Sequence, residues 1–119
     1  MGYYTYYTME AKDAKTGAHL DDALEAKICQ RLYEISNGAI IDDDSFYGCL
    51  GDCLKWYDHH DNMLDLSKEF PDVIFMLEGE GEERDDNWRL YVHNGEWEEV
   101  HATIVWNAPG YEKFRSFYW

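Results

Sequence analysis

Val73-Ile74-Phe75-Met76-Leu77 is an unbroken apolar run, set between Pro71 and the glycines at 79 and 81. It is too short for a buried helix, and a strand that is apolar on both faces belongs inside a sheet rather than at its rim. The reading is therefore a central strand over 72–77. Further along, Asn94-Gly95 is the strongest short-range signal for a two-residue hairpin, because both positions of a type I′ turn need positive φ. Trp88 to His93 alternates as the first arm, and Trp97 to Trp106 returns, closed by Pro109-Gly110. A plain register puts Trp88, Leu90, Val92 and Trp97 on one face but Val100, Ala102, Ile104 and Trp106 on the other. A bulge near Glu98-Glu99 is expected to restore one apolar face.

Elements that can cover such a sheet lie upstream. Leu24, Ile28, Leu32 and Ile35 recur at helical spacing, with Asp21 or Asp22 as cap and Ser36-Asn37-Gly38 as stop, so a helix is expected over 21–36. A second helix is expected from an Asp61 cap through Phe70, with Met63, Leu66 and Phe70 inward and Pro71 ending it. Tyr3 to Glu10 reads as the first strand, broken at Lys15-Thr16-Gly17. Leu54 to Tyr57 reads as a short strand; within Ala39 to Cys53, Ala39 to Ile41 is open between short strand and loop, and Asp42 to Ser45 with the two glycines that follow, Gly48 and Gly51, reads as loop. The fold class is α+β: a mainly antiparallel sheet with two helices on one face and a C-terminal β-hairpin, ferredoxin-like in type. With 119 residues the chain is one domain, 1–119, burying roughly two thirds of its unfolded surface.

Ten Lys and Arg against 25 Asp and Glu leave a formal charge of −15. That field repels nucleic acid and anionic membranes and draws basic surfaces. At 17% aromatic the chain is no disordered acidic tail. Cys29, Cys49 and Cys53 are odd in number, and the opening Met-Gly-Tyr-Tyr-Thr-Tyr-Tyr has neither a basic nor an apolar leader segment. A cytoplasmic chain with reduced thiols is expected. No apolar run is long enough for a transmembrane helix.

Several segments have a familiar look. Met1-Gly2-Tyr3-Tyr4-Thr5, Leu54 to His59, Phe70 to Phe75, Gly79 to Glu83, Asp86-Asn87-Trp88 and Tyr91 to Gly95 resemble a group of small phage and prophage proteins. The stretch from the second helix through Phe-Pro-Asp to the hairpin is also distantly similar to the ferredoxin-like domain of some plasmid- and phage-borne proteins. The resemblance implies a mobile-element origin and that fold. It brings no catalytic motif.

Glu78 to Asp86 holds six carboxylates and one arginine in nine residues. Glu78, Glu80, Glu82, Glu83, Asp85 and Asp86 at a strand end and turn can imitate the charge spacing of a nucleic-acid backbone and fill the Lys/Arg groove of a protein that binds one. Asp42, Asp43 and Asp44, with Glu96, Glu98 and Glu99, extend the patch if the fold brings them near. The competing use is a solvated loop that keeps the chain soluble and guards a sheet edge. Neither acidic run has the layout of an EF-hand, and Gly79-Glu80-Gly81 opens no helix on which a phosphate could sit. Cys49-x3-Cys53 with His59-His60 has zinc-type donors without zinc-type spacing. No metal site or cofactor is assigned, nor any catalytic residue.

The tyrosines at 3, 4, 6 and 7 alternate faces. With Phe114, Phe117, Tyr118 and Trp119 they either cover the open sheet face or anchor a partner. The function expected is non-enzymatic: a phage-type accessory protein that binds and inhibits a basic, nucleic-acid-handling host protein such as a bacterial defence nuclease, in the manner of an anti-CRISPR or DNA mimic. The alternatives are a small-molecule- or metal-binding domain using His59, His60, Cys53 and nearby acids, and a module that pairs sheets through aromatics.

Overall fold

The computed structural model describes residues 4–51, 53–83 and 86–102. In order they form β1 (Thr5–Asp13), α1 (Asp22–Ile35), α2 (Phe46–Leu50), α3 (His59–Glu69), β2 (Val73–Gly81), β3 (Asn87–His93) and β4 (Glu96–His101). The four strands make one antiparallel sheet in the order β1-β2-β3-β4. The class is thus α+β, with three helices rather than two. The connectivity differs from the expected ferredoxin-like one, which alternates β-α-β-β-α-β. Here all three helices sit between β1 and β2, and β2 to β4 follow as a meander.

Local chemistry accounts for most boundaries. Asp21 caps α1, its Oδ1 accepting from Leu24 N at 2.8 Å. Asp13 Oδ1 accepts from the amides of Lys15 and Thr16, both at 2.9 Å, which holds its carboxyl below the usual range and turns the chain at Gly17. Asn94 and Gly95 both take positive φ, 45° and 83°, as the hairpin turn demands.

Four expectations need correction. α3 begins at His59, with Asp58 at the cap position and Asp61 inside the first turn. The segment expected as a strand from Leu54 touches the sheet at one point only, the bridge from Leu54 to Thr5, because the Trp56 side chain is drawn into the core and the chain then turns into α3. Phe46 to Leu50, read as loop, forms α2, capped by Ser45 Oγ on Gly48 N at 3.0 Å. The bulge at Glu98-Glu99 is absent: β3 and β4 pair without interruption from His93–Glu96 to Trp88–His101. β4 lies at the sheet's rim, where a shift would bury neither Val100 nor its neighbours, and Trp97 is held edge-on to His60 at 4.4 Å. Ile104 and Trp106 lie outside the described residues.

The core is one cluster. Alternate residues of the strands (Tyr7, Met9 and Ala11; Val73, Phe75 and Leu77; Trp88, Leu90 and Val92) meet Ile28, Leu32, Leu50, Trp56, Met63 and Leu66. Gly79 falls on this inward side, where any side chain would overlap the indole of Trp88. A glycine there lets the strand carry on to Gly81 beneath a tryptophan.

Candidate interaction surface

The outward residues of the strands form rows fixed by register. Tyr6 lies opposite Glu80, which lies opposite Asn87. The next row is Thr8, Glu78, Arg89 and Val100, and the next is Glu10, Met76, Tyr91 and Glu98. Neighbouring strands are about 4.8 Å apart, so each row brings its side chains within reach of one another. Arg89 Nε bonds Glu78 Oε1 at 2.8 Å, an exposed pair of little net strength. Glu10, Glu80 and Glu98 are exposed beside Tyr6, Tyr91 and Val100. This is an acidic surface with aromatic and aliphatic inlay.

Sequence reasoning placed Glu78 and Glu80 at a strand end and turn; both are strand residues of β2 facing outward, and the turn proper begins at Glu82. Glu82 Oε1 accepts from Tyr4 N at 3.1 Å. Gly81 N donates to Asp86 O at 2.7 Å and Asp86 N to Glu83 O at 3.1 Å, closing the turn. Asp85 lies outside the described residues. Of the β4 acids, Glu96 and Glu98 share the outward face, whereas Glu99 projects to the other side beside His101, at 3.2 Å.

Asp42, Asp43 and Asp44 do not extend this patch. They precede α2, which packs on β1, and Asp43 and Asp44 line a separate concavity of about 440 Å³ with Asp22 and Glu25 of α1. Three strand spacings, about 14 Å, separate β1 from β4. Asp43 Oδ1 is engaged locally by Ser45 N and Oγ. Two acidic regions therefore exist where one was expected.

The zinc-type donors are scattered among other tasks. Cys49 is buried against Cys29, and that thiol hydrogen bond, with burial, pushes the Cys29 thiol far above its ordinary range. His59 stacks on Trp88 with centroids 4.6 Å apart, and its Nδ1 lies 3.2 Å from Trp56 O, the carbonyl that also accepts from Tyr7 Oη at 3.1 Å. Burial holds the His59 imidazole below its usual pKa and the Tyr7 phenol above its own. Among the described residues no group of three or more His, Cys, Asp or Glu is placed to hold a metal ion. No described helix is long and apolar enough to cross a membrane.

The sequence reading missed Tyr47, 92% exposed on α2, and Tyr57, 66% exposed ahead of α3. Only their failure to fit any apolar period would have marked them. Of the tyrosines it did single out, Tyr4 and Tyr6 are exposed and Tyr7 is buried, as alternation requires. No protein-family model matches the chain, and neither a curated protein nor a solved structure matches it.

Proposed function

We propose that the chain is a non-enzymatic, phage-type accessory protein that works in the host bacterial cytoplasm. It binds and inhibits a basic nucleic-acid-handling host protein, of which a defence nuclease is the obvious class. The observation that carries this reading is the outward sheet face, where Glu10, Glu78, Glu80, Glu96 and Glu98 stand in register among Tyr6, Tyr91 and Val100. Carboxylates spaced by a sheet can stand in for phosphates in a Lys/Arg groove, and the formal charge of −15 steers a basic partner towards them. The aromatic inlay supplies anchors that slow release.

The test is affinity capture from nuclease-treated host lysate at about 0.1 M and about 0.5 M salt, with the retained proteins identified by mass. One stoichiometric basic protein, released by the higher salt, is expected. The triple variant Glu10→Lys, Glu80→Lys, Glu98→Lys should lose it, while Asp42→Lys with Asp44→Lys keeps it. Retention by the sheet-face variant would defeat the reading of this face as the contact.

A further inference from the structure

The outer edge of β1 is a second feature of the same side of the molecule. Thr5 turns its backbone away from β2: its N donates to Leu54 O at 3.0 Å and its O accepts from Leu54 N at 2.9 Å. Asp13 does likewise, its N donating to Ala18 O at 2.9 Å. Successive residues of an antiparallel strand direct their peptide groups to opposite sides, so the peptide groups of Tyr7 and Met9, between these two points, also point away from β2, although their side chains lie in the core. Among the described residues their N–H and C=O groups have no backbone partner on that side. A cleft of about 300 Å³ runs along this stretch, walled by residues 6–9 of β1 and by Phe46, Tyr47 and Leu50 of α2. Strand edges are ordinarily blocked by a lysine, a proline, a bulge or a covering element. Here the window between the two bridges has none of the first three, and α2, which packs on β1, leaves the cleft open between them.

We propose that this edge takes up, by strand addition, an extended segment of the partner in which apolar and basic side chains alternate. The proposal rests on the reading of the partner as basic, which fixes the sign of half its side chains. Residues of an added strand opposite Tyr7 and Met9 fall on the helix side, against Phe46 and Leu50, where only apolar groups are accommodated. Residues opposite Tyr6, Thr8 and Glu10 fall on the outward face, beside Glu10 and within two strand spacings of Glu78 and Glu80. That side calls for Lys or Arg. Backbone hydrogen bonds to Tyr7 and Met9 supply affinity, the alternation supplies specificity, and the exposed ring of Tyr47 forms the outer wall of the cleft.

The experiment uses the full chain and capped heptapeptides, kept at concentrations where each is monomeric by sedimentation. A peptide alternating lysine and valine should bind, and should slow amide exchange at Tyr7 and Met9. Replacing its lysines by glutamates should weaken binding at least about tenfold. N-methylation of the peptide at positions of one parity should abolish binding, and at the other parity leave it intact, because only alternate N–H groups face β1. Absence of binding, of parity dependence or of protection at Tyr7 and Met9 overturns strand addition, while leaving lysate capture of a basic partner standing. Equal affinity for the glutamate peptide overturns both this proposal and the basic character of the partner.

Discussion

His59 shows how much can hang on one ring. It fills the space between Trp88, Trp56 and Tyr7 as a neutral imidazole, its proton affinity lowered chiefly by burial. Glu99, Asp58 and His60 are the charged or titratable groups that act on it, the two acids pulling its pKa up and His60 pushing it down, and burial outweighs them. Because the folded pKa lies below the unfolded value of 6.5, the unfolded chain binds more protons as pH falls through that value. Stability should therefore be undiminished by this group above about pH 7 and decline progressively below 6.5. Urea midpoints measured between pH 5 and 8 for the native chain and for His59→Phe should diverge only on the acid side; parallel curves would show that burial does not govern this ring. The sequence revealed only donor chemistry at His59-His60. Which ring would be sandwiched depended on Trp88, brought over Gly79 from the neighbouring strand, and spacing along the chain carries no sign of that.

Elements with their own punctuation were legible: α1 through Asp21 and Gly38, β2 through its apolar run, the hairpin through Asn94-Gly95. Elements whose form is set from outside were not. α2 is only five residues long, Phe-Tyr-Gly-Cys-Leu, with a glycine in its middle, and its burial comes from β1 and α1 rather than from any period of its own. The missing bulge has the same origin, since an apolar parity change needs correcting only where one face of a strand is buried, and β4 is exposed along nearly its whole length. The turn of the hairpin is also tied to α3 by hydrogen bonds. Ser67 Oγ accepts from Gly95 N at 2.9 Å and donates to Leu64 O at 2.7 Å, fully buried between them. Ser67→Ala should strand the Gly95 amide and cost about 1–3 kcal/mol. Urea denaturation measures the loss; an unchanged midpoint would mean that water replaces the hydroxyl.

Across the whole molecule, charge is the dominant fact. At −15, compaction brings carboxylates together with few cations to offset them, so added salt should stabilise the fold. The melting temperature is expected to rise by several degrees between about 0.02 M and about 0.5 M sodium chloride, and a fall would show that attractive pairs such as Arg31 with Glu34 and Glu69 outweigh the repulsion. The sequence made the acids visible but not their partition, because whether Asp42 to Asp44 join Glu96 and Glu98 depends on which edge of the sheet α2 occupies. The order of strands bears also on how the chain is made. β2, β3 and β4 pair with immediate neighbours, but β1 pairs with β2 across the whole of 14–72. On a ribosome adding about 5–20 residues each second, the first strand waits several seconds before its mate is synthesised. During that interval the tyrosine- and threonine-rich segment at the amino end is a nascent strand without a sheet, and it is a natural substrate for the chaperones that wait at the exit tunnel.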